Sequence, residues 1–169
     1  MTDNTIKTID TEQSLAVLIE RGGVYHKVPG SHPEETLSEL IGRLPDFPSL
    51  KKEALLRAVL EREALMSTAI GRGIALPHPR IPVLEEGEPF VAIAFPLQPV
   101  DWSAPDGGKI HAVFLIVSSS AKQHLNALSK INFLCQQEKF SSLIEARSSK
   151  KEIAAAIRDA EAAWAETSR

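Results

Sequence analysis

Two near-continuous apolar runs, FVAIAFPL (Phe90 to Leu97) and IHAVFLIV (Ile110 to Val117), most constrain the fold of this chain. Both are enriched in β-branched residues and show no polar alternation, the pattern of strands covered on both faces. A sheet built from them needs helices above and below, and helical patterns flank both runs. TEQSLAVLIER (residues 11–21) predicts a helix stopped by Gly22-Gly23, whose freedom at positive φ suits a helix end. Val24 to Val28 predicts a short strand. Ser31 and Glu34 have capping-box spacing, with Pro33 in the first turn, so a helix is expected to run to about Leu44. Ser49 is placed to cap SLKKEALLRAVLERE, whose polar residues read mostly as a solvated face.

MSTAIGRG reads as a turn before the short apolar piece Ile74-Ala75-Leu76. Ser120 and Gln123 form a second capping box ahead of AKQHLNALSKINFLCQQ, and Ser149 and Glu152 a third ahead of KEIAAAIRDAEAAW. The last few residues are expected to fray. Helices and strands interleave without a repeat or low-complexity linker, and 169 residues suit one domain with a real core. The expected architecture is a single α/β domain over 1–169, core about 10–160. It has a mixed β-sheet sandwiched between helices on both faces, since the irregular alternation disfavours an all-parallel sheet.

Charge and composition narrow the function classes. A net charge of -3 provides no global field for gripping nucleic acid or an anionic membrane. No apolar run approaches the ~20 residues of a membrane helix. The opening MTDNTIKTID lacks the basic and apolar regions of a secretory signal. The single cysteine, Cys135, excludes an internal disulfide framework and a multi-cysteine zinc site. The expected compartment is the cytoplasm, with no nucleic-acid partner and no direct membrane insertion.

Chemistry concentrates on GIALPHPR (Gly73 to Arg80), where one histidine stands between two prolines at the end of a strand-like run. Pro77 and Pro79 both restrict the backbone at His78. His124 follows the run Ile110–Val117 and falls in the first turn of the next helix, a setting that favours neutral imidazole and a nearby anion. Ligands in open α/β sheets gather beyond the carboxyl ends of strands. If the two strands are parallel neighbours, both imidazoles face one crevice. A neutral histidine with a free nitrogen suits attack on a phosphoryl group, and Arg62 offers a guanidinium matched to phosphate oxygens.

Each of these residues also has a plainer reading: a polar strand end for His78, an ordinary first-turn histidine for His124, a solvated helix end for Arg62. His111, inside an apolar run, reads as a satisfied core histidine, and His26 and His32 as exposed. Cys135 reads as a small buried hydrophobe. His78, His111 and His124 lack the short pairings of common zinc sites, though a metal-dependent hydrolase remains an alternative. No GxxxxGK[ST] occurs, and Gly71-Arg72-Gly73 opens no dinucleotide fingerprint.

Read as a whole, EALMSTAIGRGIALPH (Glu63 to His78) closely resembles the phosphohistidine motif of the fructose/mannitol-type enzyme IIA domains of the bacterial phosphotransferase system. Glu63, Ile70, Gly71, Ile74, Ala75, Leu76, Pro77 and His78 fit that motif at its fixed spacing. Arg62 lies at the family's Arg-Glu entry to the motif, and His124 in QHLNALSKI is similar to its second active-site histidine. RGGVYHKVPG resembles the nitrogen-regulatory branch, and the likeness spans about Asp10 to Ala160.

The resemblance implies a mixed sheet between helical layers and a phosphoryl relay without a cofactor. His78 would accept the group from an HPr-type phosphocarrier, Arg62 would stabilise the transferring charge, and His124 would orient or hydrogen-bond the phosphate. The implied receivers are a IIB-domain cysteine or regulatory target proteins, and a phosphorylation-independent binding module is the other alternative. A chain ending at Arg169 without fused IIB or IIC domains leans toward a stand-alone regulatory protein. One residue departs from the pattern: Pro79 stands where the family usually has Gly, Ala or Cys, which removes a backbone N–H beside the histidine.

Overall fold

The computed structural model describes residues 14–84 and 88–167. The chain runs α1 (Leu15–Gly22), β1 (Val24–Val28), α2 (Pro33–Arg43), α3 (Lys52–Leu65), β2 (Ala69–Gly71), β3 (Ile74–Ala75) and β4 (Phe90–Pro96). It continues through β5 (Ala112–Val117), α4 (Ala121–Cys135), α5 (Glu138–Glu145) and α6 (Lys150–Thr167). The five strands form one sheet in the order β1-β4-β5-β3-β2. β1 runs parallel to β4 and β3 parallel to β5, while β4/β5 and β2/β3 are antiparallel. The sheet is mixed and flanked by helices, as the interleaved pattern predicts.

Period-two alternation divides the two apolar runs between two core layers. Val91, Ile93 and Phe95 of β4, with Ala112, Phe114 and Ile116 of β5, pack against α1, α4, α5 and α6. Phe90, Ala92 and Ala94, with Val113, Leu115 and Val117, pack against α2 and α3. Every residue of both strands is buried, which is why neither run shows polar alternation. Among the described residues no helix is long and apolar enough to cross a membrane.

Helix ends differ from the local expectations where a distant residue intervenes. Residues 11–13 of the first predicted helix lie outside the described residues. Gly23 takes φ 93° and its N–H caps Ile19. Gly22 serves differently: a Cβ there would lie 2.2 Å from the Val91 carbonyl oxygen. Glu35, rather than Glu34, reaches back to Ser31, accepting from its N–H and hydroxyl at 2.9 and 2.8 Å, and His32 is the N-cap. Ser49 does not cap α3; its hydroxyl points to Glu88 and the helix begins after Lys51. The supposed turn MSTAIGRG contains β2, paired in a hairpin with β3. Helix α5 has no counterpart among the predicted elements. Both later capping boxes supply the expected amide bonds, Ser120 Oγ to Gln123 N–H and Ser149 Oγ to Glu152 N–H.

The start of α1 is capped from across the fold. Glu161 of α6 accepts from Ser14 Oγ and from the amides of Leu15 and Ala16, and pairs with Lys130 at 2.9 Å. These bonds hold its carboxyl below the ordinary carboxylate range despite the opposing effect of burial, the largest single influence. A depressed folded-state pKa contributes stability above the unfolded value and loses it as pH falls through the folded one. Glu161→Ala is expected to lower stability near neutrality by about 2 kcal/mol, roughly a 5 °C fall in melting temperature. Thermal melts from pH 7 to 3 should show the gap between variant and wild type closing with acid; a constant gap would refute the ionic cap.

Candidate active site

β3 and β5 are parallel neighbours, with Ile74 opposite Ala112 and Ala75 opposite Val113. Their carboxyl ends therefore open on the same edge, where an open α/β sheet binds ligands. The pairing continues past the formal end of β3, since Ile116 N–H donates to the Pro77 carbonyl at 3.0 Å. α4 starts four residues after β5 and places His124 in its first turn. The rings of His78 and His124 meet with centroids 4.5 Å apart and planes tilted by 46°.

Hydrogen bonding settles which nitrogen of His78 carries its proton. Nδ1 lies 2.7 Å from the Leu76 carbonyl oxygen, an atom that can only accept, so Nδ1–H donates. In the neutral ring Nε2 then holds the free lone pair. Burial pushes the His78 pKa below the ordinary histidine value; the Leu76 bond and Glu63 oppose that shift, while Arg62 adds to it. Burial, then the His78 ring and Arg62, likewise lower His124. Both imidazoles are neutral at pH 7.

Arg62, half-buried in the last turn of α3, donates from Nη1 to the Met66 carbonyl at 2.8 Å. Its charge acts on both histidines, so the three predicted residues share one electrostatic site. Glu63, the first residue of the motif, is not part of the solvated face expected for its helix end. Its two carboxylate oxygens accept from the Thr68 N–H at 2.9 Å and the Thr68 hydroxyl at 2.6 Å. The Thr68 carbonyl accepts from Leu76 N–H at 3.0 Å. A continuous set of bonds thus runs from Glu63 through Thr68 and Leu76 to the His78 ring. The resemblance sets the spacing of these residues, but the bonds between them cross from helix to hairpin and are visible only in the fold.

The remaining histidines lie elsewhere. His111 is half-buried rather than in the core, with Nε2 3.0 Å from the Arg72 carbonyl. His26 and His32 are exposed, as expected. Among the described residues no three His, Cys, Asp or Glu side chains group as a metal site. Cys135 is buried at the end of α4, where burial pushes its thiol up to about 12, leaving it un-ionised at neutral pH. A small cleft of about 80 Å³ adjoins the pair, lined by Pro79, Arg80, Ile116, Ser118, Ala121 and His124 among others. Arg80 and Ser118 are absent from the sequence-based candidates, since nothing in their local context marks them.

The chain is similar to several known proteins. A nitrogen regulatory protein of Bradyrhizobium diazoefficiens is 30% identical over 115 residues, covering 67% of this chain and 74% of that protein. The fructose-specific EIIABC component of the Bacillus subtilis PTS system is 30% identical over 138 residues, 79% of this chain but 21% of that longer protein. The crystal structure of the nitrogen regulatory protein IIA-Ntr from Neisseria meningitidis matches with a TM-score of 0.70 at 26% identity. That match covers 79% of this chain and 92% of the other. Residues 18–160 match the family described as "Phosphoenolpyruvate-dependent sugar phosphotransferase system, EIIA 2", a span that includes both histidines, Arg62 and the whole sheet. The chain belongs to that enzyme IIA family.

Proposed function

We propose that the protein is a cytoplasmic phosphoryl carrier that accepts a phosphoryl group on Nε2 of His78 from an HPr-type phosphocarrier. The observation that carries this reading is the Nδ1–H bond to the Leu76 carbonyl, which leaves Nε2 as the nucleophilic nitrogen. The Nε2 lone pair attacks phosphorus, a new N–P bond forms, and the donor's N–P bond breaks with its electron pair returning to the donor ring. Each imidazole keeps the proton on its other nitrogen. Arg62 offsets the charge of the phosphoryl oxygens, and His124 holds one of them. No cofactor enters the step.

Incubation with phosphoenolpyruvate and the general phosphotransfer proteins should add one acid-labile phosphoryl group, lost in His78→Ala. Absence of label in the wild type would refute the carrier and leave a binding module. Among carriers, we favour the regulatory branch, in which the phosphorylation state is read by target proteins. The likeness to a nitrogen regulatory protein over 74% of its length supports it, as does the stretch RGGVYHKVPG. Onward transfer of the label to a IIB-domain cysteine would instead identify the sugar-transport role.

A further inference from the structure

We infer that the cleft beside His124 is a subsite for a tetrahedral phosphate oxyanion, with Arg80 and the Ser118 hydroxyl as its ligands. For the phosphoryl group carried by His78, this inference rests on the function proposed above. The cleft measures about 80 Å³. Water occupies about 30 Å³ in the liquid, so the space suits two or three waters or one small oxyanion. Among the described residues its lining includes Arg80 and no acidic residue. Arg80 is exposed and forms no ion pair among the described residues, whereas Arg62 is already bonded to a carbonyl.

Ser118 supplies a second donor at the cleft. It is only 6% exposed, lines the cleft, and its hydroxyl has no hydrogen-bond partner among the described residues. The hydroxyl itself stays open to solvent at the cleft, where an oxyanion would accept its hydrogen bond. The third wall is the start of α4, a helix of 15 residues. Its Gln123 amide is held by Ser120, but those of Ala121 and Lys122 have no acceptor among the described residues. Free first-turn amides and the positive end of the helix dipole both favour an anion there.

Pro79 gives the arrangement its purpose. It is buried, lines the same cleft, and presents no N–H. The donor that a smaller residue would offer next to His78 is missing, and Arg80, one residue later, brings a stronger donor to the neighbouring space. The donors of the subsite are thus a guanidinium and a hydroxyl.

Two measurements on the full chain test this. Inorganic phosphate is titrated into unphosphorylated protein while the His124 ring resonances are followed by NMR. Separately, the rate of phosphoryl uptake from the phosphocarrier is measured. Arg80→Gln, at an exposed position, and Ser118→Ala should each weaken phosphate binding or slow uptake by about tenfold. An effect on phosphate alone assigns the subsite to free phosphate; an effect on uptake alone assigns it to the group in transit. Wild-type rates and shifts in both variants, with the wild type labelling normally, would overturn the subsite and leave the His78 carrier standing. Should the wild type not label, the carrier fails and the phosphate titration alone decides the subsite: saturable binding weakened by Arg80→Gln supports it, and no binding overturns it.

Discussion

His78→Gln is expected to abolish phosphoryl uptake altogether, whereas His124→Gln should slow it by about 10- to 100-fold. The difference follows from geometry. Of the two rings, only that of His78 has a nitrogen fixed as donor to a main-chain carbonyl and the other left free. His124 touches the His78 ring and in the proposed mechanism would contribute only contacts to the transferring group, and Arg62 still acts on the site when it is lost. The pH profile carries the same logic. Burial lowers both histidines below the ordinary value of 6.5, so the neutral nucleophile persists as pH falls past that point. The decline of uptake with acid should therefore have its midpoint below pH 6.5. Label retained in His78→Gln, or an equal loss in both variants, would refute the division of roles.

Gly22→Ala carries the largest structural effect. Gly22 ends α1 against the backbone of β4, and a Cβ would lie 2.2 Å from Val91 O and 2.5 Å from the Val91 carbonyl carbon. Backbone at the centre of a sheet cannot yield as a flexible side chain would. β4 pairs with strands on both sides, so the shift has to be taken by α1 or by the sheet itself. The expected cost is about 3 kcal/mol, a fall in melting temperature of about 10 °C. Circular dichroism melts measure it directly. Gly42→Ala, where a Cβ would meet nothing within 4 Å, is the control on another helix. A melting temperature for Gly22→Ala equal to that of wild type would show that α1 does not press on the sheet as described.

Much of the architecture is legible because it is written in local periodicity. The fully buried runs of β4 and β5 announce strands with helices on both faces, and the Ser120 and Ser149 boxes mark helix starts correctly. Local reading fails where the partner is remote. α1 is capped by Glu161, 145 or more residues away, and Ser49 turns from its own helix toward Glu88. β2 is three residues long and exists through its pairing with β3, so MSTAIGRG looks like a turn in isolation.

The site divides in the same way. By itself the sequence determined the chemical identity of the candidate residues. Glu63 to His78 carries a motif of fixed spacing, and its proline, histidine and flanking arginine are local facts about the chain. Only the tertiary structure decided that β3 and β5 run side by side and parallel, which brings His78 and His124 into contact across 46 positions of chain. It alone decided that Nδ1 is engaged, that Glu63 anchors the hairpin beneath the histidine, and that Arg80 and an unpaired Ser118 face a common cleft. Proton position, burial and charge all depend on what lies nearby in space, and strand order, which sets those neighbours, is decided by long-range pairing that no local window contains.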